Sequence, residues 1–152
     1  ASGRSLIFRG YLATKVLKKS GKNLKISSNV NLYNPANIIT GDNVYIGYSS
    51  YIGGGDVVLH DEVVIGPFCS IVAGNHTMEK DSFRYGEYDC GKIVIGKGSW
   101  LGSHCTIVSN VNIGKGCLIA AGSVVNKDVS DFSMVAGIPA KFIKNTKWKS
   151  IL

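Results

Sequence analysis

At 152 residues, the chain has the length of one domain, and its 45% hydrophobic and 18% charged content is typical of a globular rather than a disordered protein. No apolar run reaches the roughly 18 residues that a membrane-spanning helix needs. The formal net charge of +7 favours an anionic partner, but no nucleic-acid-binding motif accompanies it, so we do not expect a nucleic-acid partner.

Residues 1–22 differ in composition from the rest of the chain. Apolar side chains such as Phe8, Leu12 and Val16 recur there at helical spacing among Lys and Arg residues. This pattern predicts a basic amphipathic helix that ends near Gly21. The helix would either cover the open end of the structure that follows or rest its apolar face on a membrane surface.

Residues 23–130 are organised by a six-residue repeat. In its most regular part a large aliphatic residue returns at every sixth position, two residues after a mostly small one and usually before Gly or Ala. A helical face would need apolar residues at i, i+3, i+4 and i+7, so the period instead predicts strand-and-turn units that wrap into stacked coils. These aliphatic positions are Ile95, Leu101, Ile107, Ile113, Ile119 and Val125.

The repeat stops between residues 73 and 92, where the chain is polar and contains several aromatic residues. A long insertion in a compact repeat protein is usually functional, and such insertions tend to lie on the binding face. The segment 131–152 is basic, and Lys141 to Lys144 within it predicts a short C-terminal helix. We therefore expect three regions: the helix at 1–22, a β-helix at 23–130 and the basic tail at 131–152.

Three of the four cysteines, Cys69, Cys105 and Cys117, take the small inward position of the repeat and are predicted to be core residues. Cys90 lies outside the repeat. Because no CxxC pair is present, the sequence indicates neither a metal site nor a redox pair. We expect a reducing, cytoplasmic location, with the inner face of the membrane as an alternative.

The form small-x-aliphatic-Gly, as at Ser99 to Gly102, resembles the hexapeptide-repeat acetyltransferase superfamily. His76, the insertion after it and the stretch at 94–104, which contains Ile95-Gly96 and Trp100-Leu101-Gly102, are similar to sugar O-acetyltransferases of the galactoside, maltose and nodulation types. The resemblance implies an all-β fold, a left-handed parallel β-helix with three hexads per coil, assembled as a homotrimer. The left hand rests on the resemblance alone, since parallel crossovers are in general right-handed.

The resemblance implies acetyl transfer from acetyl-CoA, with His76 as the general base and no metal. Imidazole suits that role because its ordinary pKa lies near neutral pH. The backbone N–H of Ser103 would stabilise the oxyanion. The expected coenzyme contacts are Trp100, Gly102, Ser103, Ala120, Ala121, Gly122, Pro139, Ala140, Lys141 and Lys144, and the expected acceptor contacts are Ser49, Asn75, Tyr85 and Trp100.

Each of these assignments has a structural alternative. His76 would otherwise be a solvated loop residue, Trp100 a coil-packing residue, and Lys141 and Lys144 part of a solvated tail. His104, inside a regular hexad, is expected to pack or form structural hydrogen bonds.

One departure from the family limits the acceptor. Ser49 stands where the galactoside and maltose enzymes carry an acceptor-binding Asn, and their N-terminal acceptor-binding Asp has no clear match. We therefore predict a sugar O-acetyltransferase acting on a surface polysaccharide, lipopolysaccharide or related glycan.

Three alternatives remain for the function. The nearest is N-acetylation of an amino sugar or a nucleotide-linked amino sugar. A β-helix carbonic anhydrase would need three metal-binding histidines, whereas His60, His76 and His104 are far apart in the sequence. A non-catalytic β-helix would have no use for the insertion at 73–92.

Overall fold

The computed structural model describes residues 3–147. After one helix, the chain winds into a solenoid whose successive coils add short strands to three sheets, A, B and C, and these strands are parallel except for the last one in sheet B. Strands of successive coils pair in register, so that Ile46 lies beside Ile65, and Leu101 beside Ile65 and Ile119. The predicted all-β fold is confirmed, and the architecture is consistent with the left-handed parallel β-helix.

The helix α1 is Gly3–Ala13, and a 3₁₀ turn at Pro35–Asn37 joins the first two coils. Sheet A contains β1 (Lys19–Ser20), β4 (Ile38–Thr40), β7 (Asp56–Leu59), β12 (Lys92–Ile95) and β15 (Asn112–Ile113). Sheet B contains β2 (Lys25–Ile26), β5 (Tyr45–Ile46), β8 (Val64–Ile65), β13 (Trp100–Leu101), β16 (Leu118–Ile119), β18 (Ser133–Gly137) and β19 (Ala140–Asn145). Sheet C contains β3 (Asn31–Tyr33), β6 (Tyr51–Gly53), β9 (Ser70–Val72), β14 (Thr106–Ile107) and β17 (Val124–Val125). A separate hairpin joins β10 (Gly74–His76) to β11 (Tyr88–Cys90).

The core is a column of aliphatic side chains on the solenoid axis. A side chain of this size contributes about 1.5–3 kcal/mol when fully buried. The small positions between the aliphatics hold the buried Cys69, Cys105 and Cys117, as predicted. A hydrogen bond to Cys105, together with burial, raises the pKa of the Cys69 thiol. The largest fully buried side chains are Ile38, Ile46, Ile52, Leu59, Ile65, Ile71, Ile93, Ile95, Leu101, Ile107, Ile113 and Ile119.

Helix α1 packs against the first coil of the solenoid. Gly10 packs so closely that a Cβ there would overlap the Leu24 carbonyl oxygen. The Arg9 side chain donates from Nε to the Ile26 carbonyl at 2.9 Å. The only helix longer than one turn in residues 3–147, α1 lacks the length and hydropathy to span a membrane.

Helix α1 is shorter than the predicted helix at 1–22, whose first two residues lie outside the described part of the chain. It ends at Ala13, and Lys19–Ser20 already pairs with Ile39–Thr40 as the first strand of sheet A. This pairing provides hydrogen bonds to backbone groups of β4 that a continued helix would leave open. Tertiary pairing therefore sets the boundary, not local helix propensity.

The C-terminal segment is a β-hairpin, so the prediction of a short helix was wrong. Strand β18 extends sheet B beside β16, and β19 returns antiparallel to β18. Phe142 and Ile143 between two lysines fit either a helical or a strand period, and the open edge of β18 favours a strand. Residues 148–152 of the predicted tail lie outside the described residues.

Candidate active site

The insertion at 73–92 is a hairpin anchored firmly at its base. The Gly91 N–H and the Ser109 hydroxyl both donate to the Ala73 carbonyl, each at 2.8 Å. Strands β10 and β11 then pair antiparallel, with His76 opposite Tyr88. Because its two ends are joined in this way, the hairpin leaves the solenoid at the corner between sheets C and A with a defined direction.

His76 is solvent-exposed, and its imidazole contacts the ring of Tyr88. The centroids are 5.3 Å apart, and the ring planes meet at 76°, an edge-to-face arrangement that aromatic pairs favour. The Tyr88 hydroxyl donates to the Gly54 carbonyl at 2.7 Å. Through these two contacts, Tyr88 connects the His76 ring to the solenoid.

Two glycines leave room for the Tyr88 hydroxyl. A Cβ at Gly74 would overlap it, and one at Gly54 would approach it to 2.8 Å. Gly54 also has φ +86°, a conformation that residues with a Cβ rarely adopt. Burial, with smaller effects from Cys90 and Tyr33, raises the pKa of Tyr88, so its hydroxyl stays protonated and able to donate near neutral pH.

Trp100 lies on the outer surface of sheet B, half exposed. It lines an open groove of about 380 Å³ that is also lined by Gly116, Phe132 and Lys147. The Lys147 ammonium lies 4.4 Å from the Phe132 ring centroid. A groove with an aromatic wall and a nearby cation suits a ligand with both apolar and anionic parts.

Ser103 lies at the corner between sheets B and C, and its carbonyl accepts from the Gly122 N–H at 2.9 Å. Among residues 3–147, its own N–H makes no backbone hydrogen bond, so it is available as a donor. Gly102 must be small, because a Cβ there would lie 2.7 Å from the Ala121 nitrogen. Ala121 and Gly122 form the exposed corner of the next coil.

Lys141 and Lys144 share one face of β19 because of a bulge. Three residues apart, they would face opposite sides of a regular strand. The register shifts near Met134, however, so that Lys141 lies opposite Ala136 and Lys144 opposite Met134. Since cross-strand partners share a face and Met134 and Ala136 are two apart, both lysines lie on the outer face of sheet B. Met134 in turn follows Trp100 and Leu118 in the same row across the sheet.

Within one chain, His76 is not close to this groove. Ser103 lies at the corner where the chain enters sheet C, and the His76 hairpin leaves at the corner after sheet C. The intervening side of the solenoid is about six residues long, roughly 15 Å at about 3.3 Å per residue with allowance for the bends. The residues predicted for one active site thus form two groups on one chain.

His104 occupies a column of corner residues with positive φ, which also contains Ser49 and Phe68. Its ring stacks on Phe68 with centroids 4.9 Å apart and an interplanar angle of 10°. The structural packing predicted for His104 is therefore observed. Phe68 also contacts Tyr48 edge-on at 5.4 Å, so Ser49 lies beside an aromatic cluster.

Two further predicted residues lie on the hairpin, where Asn75 pairs with Asp89 and Tyr85 is strongly exposed. Tyr88 and Phe68 were not predicted from the sequence to belong to the site. The sequence shows them only as aromatic residues, and their contacts depend on the hairpin register and on coil stacking. Among residues 3–147, no group of three or more His, Cys, Asp or Glu side chains is placed to hold a metal ion.

A family model, several curated proteins and several solved structures are similar to this chain. The family model described as bacterial transferase hexapeptide (six repeats) matches residues 92–127. A probable macrolide acetyltransferase of Lysinibacillus sphaericus is 35% identical over 108 residues, covering 55% of this chain and 60% of that protein. Galactoside O-acetyltransferase of Escherichia coli K12 is 34% identical over 88 residues, covering 58% of this chain and 43% of that protein.

The solved structure of a galactoside acetyltransferase in complex with coenzyme A superposes with a TM-score of 0.85 at 26% identity, covering 95% of this chain and 79% of that one. These matches confirm the resemblance to the hexapeptide-repeat acetyltransferase superfamily. The chain spans about half the length of the curated relatives it matches.

Proposed function

We propose that this protein is an acetyl-CoA-dependent O-acetyltransferase acting on a sugar hydroxyl, with His76 as its general base. The observation that carries the proposal is the anchored hairpin, which presents an exposed imidazole held against Tyr88. A solvated loop histidine would have no need of this support. The similarity to acetyltransferases, including one solved with coenzyme A, supports the choice of acetyl donor.

In the proposed reaction, the His76 imidazole removes the proton from an acceptor hydroxyl as the oxygen attacks the thioester carbonyl. The Ser103 N–H donates to the developing oxyanion. The carbon–sulfur bond then breaks, the imidazolium returns its proton to the coenzyme A thiolate, and the acetyl ester leaves. No acyl-enzyme and no metal take part.

We propose that the site forms between copies of the chain in a homotrimer. The proposal is supported by the separation of His76 from Ser103 by a full side of the solenoid. Within one chain, the general base and the oxyanion donor are therefore too far apart to act on the same substrate. A three-fold arrangement would bring the hairpin of one copy to the sheet B groove of the next. Each trimer would then hold three equivalent shared sites.

The proposed coenzyme path follows the outer face of sheet B. The row from Trp100 through Leu118 and Met134 to Lys144 crosses three strand spacings, about 14 Å at about 4.8 Å each. An extended coenzyme can span this length with its phosphates near Lys141 and Lys144 and its thioester near Ser103. The small corner residues Ala120, Ala121 and Gly122 would allow the pantetheine arm to approach the backbone.

The proposed acceptor is a sugar of a surface polysaccharide, lipopolysaccharide or related glycan, and the proposed location is the cytoplasm. Ser49, Asn75, Tyr85 and Trp100 would contact the acceptor. Ser49 stands where the galactoside and maltose enzymes carry an acceptor-binding Asn, and this difference supports an acceptor other than a galactoside or maltose.

The test is release of the coenzyme A thiol from acetyl-CoA in the presence of neutral glycans, amino sugars and sugar nucleotides. We expect thiol release that depends on a hydroxyl acceptor and a product ester that hydroxylamine cleaves. A hydroxylamine-resistant amide would favour N-acetylation instead. Acceptor-independent release, or none with any acceptor, would contradict the proposal.

A further inference from the structure

The N-terminal cap, which we define as residues 3–17, presents an apolar outer surface that the solenoid does not cover. The inward face of α1 is narrow, with only Gly10 and Ala13 buried in the helix. The large apolar side chains of the cap are not buried by the first coil and keep between 49% and 61% of their surface exposed. They are Ile7, Phe8, Tyr11, Leu12 and Val16.

The net positive charge of the chain lies at the same end as this apolar surface. Residues 1–41 contain seven Lys and Arg residues and no Asp or Glu, whereas residues 42–152 contain ten of each. The formal net charge of +7 therefore belongs entirely to the cap and the first coils. Lys15, Lys18, Lys19 and Lys22 are all exposed around the apolar surface.

Apolar and cationic groups adjoin on this end rather than on opposite sides. The Lys15 ammonium lies 4.8 Å from the centroid of the exposed Tyr11 ring. A groove of about 360 Å³ runs between α1 and the corner at residues 21–24, lined by Ile7 and Leu24 and also by Lys22. A surface of this kind complements a partner that is both negatively charged and apolar beneath its charge.

We propose that the N-terminal cap docks on an anionic lipid bilayer, with Phe8, Tyr11 and Leu12 in the interface and the surrounding lysines on lipid phosphates. At 11 residues, α1 is about 16 Å long, so it lies along the surface rather than crossing the roughly 30 Å hydrocarbon core. A nucleic acid would satisfy the lysines but would leave the aliphatic side chains exposed. This inference does not depend on acetyl transfer.

The test is co-flotation of the full chain with vesicles of phosphatidylcholine alone or of phosphatidylcholine with phosphatidylglycerol. We expect binding to the anionic vesicles only, weakened by salt. Phe8→Ser with Leu12→Ser should reduce binding by about tenfold or more. Lys18→Gln with Lys22→Gln should reduce it by about 30-fold, since each cation near an anionic surface contributes a factor of about five.

The control variants carry the same types of substitution at positions outside the cap. Met78→Ser with Phe83→Ser removes similarly exposed apolar groups from the hairpin, and Lys92→Gln with Lys127→Gln removes two exposed cations that lie outside the cap. Both pairs should bind as the wild type does. Light scattering should give all variants the same mass.

Three results would overturn the inference. The first is no binding to anionic vesicles, or equal binding of the cap variants and the controls. The second is a change in mass for the Phe8 and Leu12 variant, which would mean that a second copy covers the helix. The third is binding to RNA in place of vesicles, unaffected by the apolar substitutions.

Discussion

The His76 imidazole and the Tyr88 ring meet edge-to-face with centroids 5.3 Å apart, across a directly paired position of the inserted hairpin. The Tyr88 hydroxyl is in turn bonded to the Gly54 carbonyl of the solenoid. The orientation of an exposed histidine thus depends on a second residue that the sequence pattern does not single out.

From this contact we predict that Tyr88 is a positioning residue. Tyr88→Ala should lower kcat by about two- to twelvefold, because an aromatic pair contributes about 0.5–1.5 kcal/mol, while KM for acetyl-CoA changes little. Tyr88→Phe should keep most of the activity because the ring remains. Steady-state kinetics of both variants measures this separation of kcat from KM.

The control is Phe83→Ala, which removes another exposed aromatic from the same hairpin and should leave kcat unchanged. Gly74→Ala supplies a second check, since its Cβ would overlap the Tyr88 hydroxyl and would also lie 2.5 Å from the Gly54 carbonyl oxygen. It should cost less activity in the Tyr88→Ala background, where only the contact with Gly54 remains, than in the wild type. Equal and additive losses would mean that the ring contact has no role in catalysis.

The two histidines should respond differently to substitution. His76→Ala should lower kcat by about 10²–10⁴, the usual range for loss of a general base, and lower the free energy of unfolding by no more than about 1.5 kcal/mol, through loss of its contact with Tyr88. His104→Ala should lower the free energy of unfolding by about 0.5–1.5 kcal/mol, through loss of its stacking on Phe68, with a smaller effect on kcat. Near-normal turnover by His76→Ala would remove His76 from the mechanism.

The bulge in β19 predicts that Lys141 and Lys144 act together on the coenzyme phosphates. Lys141→Gln with Lys144→Gln should raise KM for acetyl-CoA by about five- to twentyfold at low salt, because each exposed ion pair contributes up to about 1 kcal/mol. The difference from the wild type should shrink as salt is added. Lys92→Gln with Lys127→Gln is the control for net charge, and an equal effect from it would indicate general electrostatics only.

The β-helix could be predicted because the same aliphatic pattern occurs in each hexad. The aliphatic positions from Ile95 to Val125 are buried once per hexad, as the six-residue period requires. The ends of the chain were less predictable. Lys19–Ser20 and Ala140–Asn145 become strands because neighbouring coils offer unpaired backbone groups, which local periodicity does not reveal.

The same distinction applies to the candidate site. His76 could be proposed from its position at the start of the insertion and from the resemblance. Its contact with Tyr88 could not, because the twelve-residue separation gives no hint of the hairpin register. The sequence predicted a short helix for Lys141 to Lys144, whereas the structure places both lysines on one face of a strand with a bulge, which depends on its pairing with β18.

The most direct test of a shared His76 site is complementation between two inactive chains. One chain carries His76→Ala, and the other carries Ala121→Trp, which fills the proposed coenzyme path from an exposed corner without entering the core. Differently tagged chains are co-expressed, mixed trimers are isolated by both tags, and acetyl transfer is measured per trimer.

In any mixed trimer with cyclic symmetry, one interface combines an intact His76 with an unblocked groove on the next copy. The account therefore predicts about one third of the wild-type activity from mixed trimers and almost none from either parent. Mixed trimers that form but stay inactive would show that His76 and the groove act within one chain, and would contradict the shared site.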